Sequence, residues 1–331
     1  MLEKIINIVY ILYEFKKEPA VKRLQVYTYR AQPNTIESFD GIAQKNPCPE
    51  TTATCLVTVG FVKPFELIDN TTNYIENING YGYGCIVIQE KKAKRSEVTR
   101  LFNQKIREEK ANGNNLTVKE KREIRREIER KLTIKAIPQE TEVKIVFDVK
   151  QCELWLSCSS TKHRDRAISL LMGIGFDMLD RPLSVTIEQD LTYYLSKPDQ
   201  LPDDIELGRT TSMKELMHSS TVNYRSQDLV SSEIDENIKK QKEVKSLEVE
   251  YKNSVWLTLK STQEVTGIKY DVDRVIEWLS FSEDETNDDE LHFWRQRIAL
   301  SIELISHVLP RIYEMFTTLH TDNAFTIESR N

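Results

Sequence analysis

Sixteen lysines and arginines fall between Lys91 and Lys135 against seven glutamates and no aspartate, so this stretch carries about +9 in a chain of formal net charge −6. The chemistry such a stretch offers is phosphate binding. Ammonium and guanidinium groups release counterions condensed on a polyanion, and their attraction acts over a Debye length of about 10 Å at 0.1 M salt. The rest of the chain carries about −15. That segregation puts a local positive field on an acidic body, which the sequence pI of about 5.6 conceals.

Two helices must position these charges. Periodicity predicts them over Ser96–Ala111 and Val118–Leu132, joined by Asn112, Gly113, Asn114 and Asn115, a composition that suits an αα-hairpin. Thr117 and Glu120 stand at capping-box spacing and mark the second start. On a wheel of about 100° per residue, Ile124, Ile128 and Leu132 form an apolar stripe for docking, and Lys119, Arg122, Arg126 and Arg130 fall nearly opposite. From Lys119 to Arg130 the rise is about 17 Å, which matches roughly five phosphates along one strand. Lys91, Lys92, Lys94, Arg95 and Arg100 extend the positive charge upstream. A solvated surface helix presents a similar face, and Glu123 and Glu127 flank this one. Neither a helix-turn-helix, a zinc finger nor an RNP-type motif is present, so the expected binding is phosphate-driven and indifferent to base sequence.

Enzymatic chemistry has less to work with. His163, His218, His292, His307 and His320 are scattered, and there is no GxSxG, no P-loop and no glycine-rich strand-to-helix turn. The best catalytic candidate is a metal-dependent nuclease site. Asp148, Val149 and Lys150 form a D-x-K half-motif, with Glu142 and Glu153 near enough in sequence to complete a hard-cation site. Surface positions on a half-buried strand would look the same. Cys48, Cys55, Cys85, Cys152 and Cys158 form no CxxC pair and read as reduced thiols. Neither a metal nor a cofactor is expected.

The rest of the chain reads as α+β, a sheet-containing N-terminal lobe bearing the basic helical arm and an α+β C-terminal lobe. Residues 1–20 form an extension whose apolar start, Ile5–Leu12, is too short to span a bilayer and lacks a cleavage site, so a cytoplasmic protein without a membrane partner is expected. Residues 21–175 form the first lobe, with strands at Leu24–Tyr29, Cys55–Val62, Cys85–Gln89, Val143–Val149 and Glu153–Cys158. The Gly80–Gly84 cluster reads as a turn, and Thr161–Ile174 as a helix. The arm occupies 91–136. Residues 176–226, interrupted by Pro182, Pro198 and Pro202, read as a connecting region. Residues 227–331 form the second lobe, which starts with a helix near Ser232–Lys242. Strands around Ser246–Tyr251, Ser254–Lys260 and Val265–Tyr270 follow, then helices at Asp273–Leu279 and Glu290–Leu319. The last carries an apolar stripe from Leu291 to Phe316 that suits either core or a dimer seam, with Pro310 as a kink. The acidic run from Glu283 to Glu290 offers a way to mimic DNA toward a protein partner, but a hinge loop between two helices explains the same residues and is the preferred reading.

Three stretches resemble the RdgC family, recombination-associated proteins of bacteria and some phages. The first is Lys22–Tyr29, KRLQVYTY, with the later Gly60, Phe61 and Val62. The second is the arm's KEKREIRREI with the following LTIKAI, Leu132–Ile137. The third and most specific runs from Ser226, SQDLVSSEIDENIKKQKEVKSLEVEY. The family's leucine-proline pair ahead of its first arm helix is missing, and Ile134 and Ile137 replace its proline and phenylalanine near the arm's end. The resemblance implies a ring-shaped homodimer with a positively lined hole through which duplex DNA passes without sequence preference. It implies a nucleoid-associated protein that restrains the RecA recombinase by occupying DNA, with RecA itself and single-stranded DNA as further candidate partners. Carried over by position, the DNA-facing residues are Lys119, Lys121, Arg122, Arg125 and Arg126 in the arm, with Arg225 and Gln227 ahead of Asp228 and Leu229. Ile137 falls at the family's subunit contact.

Overall fold

The computed structural model describes residues 21, 23–30, 35–65, 73–215, 217, 220–279 and 290–328. The extension 1–20, Lys22, His218 and the acidic run from Glu283 to Asp289 lie outside them. The described strands form one open sheet of twelve, and every pairing between them is antiparallel. Across the sheet the order is β2 (Val57–Val62), β4 (Tyr81–Glu90), β5 (Gln139–Asp148), β6 (Glu153–Ser157), β1 (Arg23–Arg30), β12 (Val265–Tyr270), β11 (Val255–Lys260), β10 (Lys242–Tyr251), β8 (Ile205–Glu215) and β9 (Thr221–Tyr224). Off this path, β3 (Ile75–Ile78) pairs with β4 and β7 (Asp177–Asp180) with β1. Eight α-helices are described: α1 (Ile36–Gln44), α2 (Arg95–Ala111), α3 (Val118–Lys135), α4 (Thr161–Gly173), α5 (Ile187–Ser196), α6 (Ser232–Lys239), α7 (Val272–Leu279) and α8 (Glu290–Glu328).

Strand alternation assigns the two cores. Successive side chains point to opposite faces. On β1, Tyr27 and Tyr29 enter one cluster while Leu24 and Val26 enter the other. The first cluster joins Ile86, Ile88, Val143, Ile145, Phe147, Leu154 and Leu156 to Phe39 of α1 and Ala167 and Leu171 of α4. Phe39 stacks on Phe147 and Phe176, with ring centroids 4.1 and 5.2 Å apart. The opposite face of the same strands, through Tyr83, Val146 and Trp155, packs into the larger cluster with α5, α8 and strands β8 to β12. The two halves therefore share a core. Residues 176–226, expected as a connection, supply β7, α5, β8 and β9.

Three local expectations change. Only Asn79 and Gly80, at φ 52° and 86°, make the turn, the pairing of left-handed residues that joins a two-residue hairpin. Tyr81 to Gly84 are strand, paired with β3, and glycine is needed there for close packing, since a Cβ at Gly84 would sit 2.5 Å from Ile75 Cδ1. The stripe on α8 is core and not a seam. Ile298, Ile302, Ile305, Leu309, Ile312 and Phe316 are all buried within the chain, so that face is not available for subunit packing. Among its described side chains the exposed ones are His307, Pro310, Glu314 and Thr317, and Pro310 is tolerated on this side because water can reach the carbonyl its missing N–H leaves behind. The predicted helix near Ser232 ends at Lys239, since Gln241 takes a left-handed φ of 58° and β10 begins at Lys242.

The arm grows from the loop-out between β4 and β5, whose ends Glu90 and Gln139 are in register. Its root is fastened by the Glu90 carboxylate, which accepts from Lys92 (2.8 Å), Lys162 (3.0 Å) and Arg166 (3.3 Å). Partial burial disfavours the charge, but these hydrogen bonds outweigh it and hold the carboxyl at about 2. Lys91 adds a second fastening, its Nζ 3.5 Å from the Ile134 carbonyl at the end of α3. At the outer strand, Gly60 lies against the backbone of Pro47 and Cys48, where a Cβ has no space, and Asn46 and Cys48 bond to Phe61 there.

Gly60→Ala is therefore expected to cost about 1–3 kcal/mol by overpacking. Gly41→Ala, in α1 with nothing near its Cβ position, should gain about 0.5–1 kcal/mol; denaturant midpoints of both variants check the contrast. Glu90→Gln should lower the melting temperature at pH 7. The folded carboxyl titrates near 2 and the unfolded one near 4.5, so the deficit should be full above about pH 4.5 and gone by about pH 2. A pH-independent deficit would assign Glu90 a packing role instead.

Candidate nucleic-acid interface

Local sequence sets the arm's two helices. The capping box at the start of α3 is made in full, with Thr117 Oγ1 accepting from the Glu120 amide at 3.3 Å and Glu120 Oε2 accepting from the Thr117 amide at 2.7 Å. Gly113 turns the loop at φ 83°. Helix α3 runs three residues beyond the predicted Leu132, to Lys135. None of its residues is fully buried, and Val98 alone is buried on α2. Ile124, Ile128 and Leu132 are half-buried, as are Leu101, Phe102 and Ile106 of α2. The apolar stripe thus serves the helix pair itself and not docking on the body, so the pair stands out as an arm.

The arm's glutamates are partly spent on its own lysines and loop. Lys105 pairs with Glu109 at 3.0 Å and Lys131 with Glu127 at 2.6 Å, Asn114 donates to Glu109 at 2.7 Å, and Glu120 is committed to its cap. The arginine face is left over. Lys119, Lys121, Arg122, Arg125, Arg126 and Arg130 are all exposed, and among the described residues no carboxylate lies within 4.0 Å of their charged groups. Arg125 differs slightly from the rest, since its guanidinium stands over the Phe102 ring at 5.8 Å. At the root, Lys94 and Arg95 are exposed, whereas Lys92 faces Glu90 and Lys91 faces the end of α3.

Arg225 and Gln227 are placed elsewhere. They sit in the exposed loop after β9, seven strand positions from β5 in the sheet order. Leu229, 2 % exposed, anchors this loop. Gln227 donates its amide to Arg209 O at 3.2 Å, and Asp228 closes a turn onto the Val230 amide at 2.9 Å. Within one chain the arm leaves the interior strands β4 and β5, whereas this loop follows β9, the edge strand at the far end of the sheet order. Ile137, just past the end of α3, is 87 % exposed.

The carboxylates of the D-x-K half-motif have intramolecular partners. Asp148 and Glu153 face each other across β5 and β6. Asp148 Oδ1 accepts from the Lys150 and Gln151 amides, both at 3.0 Å. Glu153 accepts from Trp155 Nε1 at 3.0 Å and pairs with Arg181. Glu142 is six residues up the strand, about 20 Å away at 3.3 Å per residue, and does not join them. Among the described residues no three His, Cys, Asp or Glu side chains gather where they could hold a metal ion, the five cysteines are free, and no helix is long and apolar enough to cross a membrane.

Sequence reasoning missed two cations that the fold brings to the arm's root, Lys162 and Arg166 of α4. They lie 72 and 76 residues from Glu90 in the chain, and no local pattern joins them. His163 is beside them, its Nε2 3.9 Å from Glu90. Burial, then the charges of Arg166 and Lys92, push its pKa below the usual imidazole range.

No curated protein matches the chain. One family model does, that described as "Putative exonuclease, RdgC", over residues 21–319. Its span begins two residues before β1 and takes in both cores, the arm and the loop after β9. With nearly the whole fold inside that match, the chain belongs to the RdgC family.

Proposed function

We propose that this protein binds duplex DNA without sequence preference through its basic arm, acting as a homodimer that encircles the DNA and so restrains RecA-dependent recombination. Family membership fits a recombination-associated DNA-binding role. The observation that carries the reading is the arm's outer face, on which Lys119, Arg122, Arg126 and Arg130 are exposed and lack ion-pair partners among the described residues. Like charges so close together repel one another, and phosphates along a strand offset that cost. The absence of a base-reading motif argues for phosphate contacts alone.

The dimer draws support from Ile137. Ile137, 87 % exposed at the arm's root, stands where the resemblance puts the family's subunit contact, and a second subunit would cover it. A ring would bring the arm of one subunit and the Arg225–Gln227 loop of another to a common opening, whereas in a single chain they leave the sheet seven strand positions apart. Restraint of RecA then follows from occupancy of the DNA, without need of a RecA-specific surface, and single-stranded DNA is bound through the same phosphates. Action on DNA inside the cell implies a cytoplasmic, nucleoid-associated protein.

A nuclease is the second reading, favoured by the family description and by the facing pair Asp148 and Glu153. We favour binding without cleavage because both carboxylates already hold intramolecular hydrogen bonds.

Affinity for a random-sequence duplex should fall steeply with salt. Arg122→Ala/Arg126→Ala/Arg130→Ala should reduce the magnitude of the slope of log K against log salt by about 0.9 per lost contact, about 2.7 in all, equally for unrelated duplexes. An unchanged slope would remove the arm from the interface. Pure protein with magnesium should leave a labelled duplex intact; turnover that disappears in Asp148→Ala would replace the binding reading with the nuclease.

A further inference from the structure

The cations gathered on Glu90 at the root of the arm carry more positive charge than that carboxylate balances. Glu90 is held by Lys92, Lys162 and Arg166 at 2.8, 3.0 and 3.3 Å, and among the described residues none of these three cations has another carboxylate within 4.0 Å. Arg164, the neighbouring cation of α4, turns instead to Glu264 at 2.6 Å. Three permanent cations around one anion leave about +2, and Lys94 and Arg95 stand exposed at the rim. The Lys92 and Lys162 side chains are about half exposed, at 50 % and 56 %, while Glu90 beneath them is 12 % exposed. The negative charge is therefore recessed and the positive charges face water.

Location gives this excess a use. Helix α3 returns from the arm's tip to its root, so its arginine face ends at Arg130, about one and a half turns before the helix stops at Lys135 and nine residues before Gln139 resumes the sheet opposite Glu90. A phosphate strand laid along the arm meets the root next. Resting on the arm-binding reading above, we infer that Lys162 and Arg166 of α4, together with Lys92, form a second phosphate-contacting surface continuous with the arm. In it Glu90 acts as an internal counter-anion that orders the three cations and competes with phosphate for them.

This arrangement makes the signs of two variants differ. Lys162→Ala/Arg166→Ala removes cations and should weaken duplex binding, reducing the magnitude of the salt slope by about 0.9–1.8, one to two contacts. Glu90→Gln removes the competing anion and should tighten binding at pH 7, even though it costs stability. A purely structural root predicts that both variants weaken binding or that neither changes it. The measurement is duplex affinity against salt for full-length wild type, both root variants and the arm triple variant, with circular dichroism to confirm folding. A reduced slope in the cation variant with tighter binding by Glu90→Gln supports the inference. An unchanged slope in the cation variant, with the arm triple variant still impaired, overturns the inference and leaves the arm reading intact. Weaker binding by folded Glu90→Gln likewise overturns it. Failure of wild type to bind at low salt overturns both.

Discussion

Strand β1 is the constraint on which the rest of the structure depends. Along one edge it pairs with β6; along the other it pairs first with β12, at Arg23 and Leu24, and then with β7 from Tyr27 to Arg30. Eight residues thereby hydrogen-bond to strands from both halves of the chain, and their alternating side chains enter both cores. A slip of one residue would exchange Leu24 and Val26 for Tyr27 and Tyr29 across the sheet and ruin both clusters at once. Glu264 reinforces the seam from the far half by accepting from Arg164 of α4, with Arg23 3.8 Å away.

The arm obeys the opposite logic. It has almost no core of its own, since Val98 alone among its helical residues is fully buried, and helical stability in proteins comes mostly from packing of an apolar face rather than from propensity. Its stability comes from the half-buried seam between α2 and α3, a completed capping box and the fastening of its root by Glu90 and Lys91. Concentrating cations on so lightly packed an element is tolerated because the repulsive face points to solvent, whose high dielectric weakens the repulsion without abolishing it. The acidic body then limits where a polyanion can settle.

Glycine shows how tertiary approach can override a local signal. Gly80, Gly82 and Gly84 together resemble a turn, yet only Gly80 uses its freedom at positive φ. Gly82 and Gly84 lie in a strand and make room for Ile75 of the neighbouring hairpin arm. Gly60 has the same kind of reason, a crossing backbone at Pro47 and Cys48. Glycine marks both situations, and only the position of the neighbouring chain separates them.

What the sequence by itself determined is what local interactions determine. The presence of α2 and α3 and the start of α3, the capping box, the charge of the arm, the arginine face at 3.6-residue spacing and the alternation of β1, β5, β6, β10, β11 and β12 all follow from residues within a turn or a strand of one another. Only tertiary structure decided matters that join distant residues. Short α1 and α5 and four-residue β3 have too few periods to be read locally and are held by burial of Phe39, Leu191 and Ile75. The sharing of one core by both halves, the burial of the α8 stripe, the engagement of Asp148 and Glu153 by turn amides, Trp155 and Arg181, and the gathering of Lys162 and Arg166 at Glu90 were likewise invisible. Hydrophobic burial and ion pairing act through space without regard to separation along the chain, so a pattern of near neighbours carries no record of them.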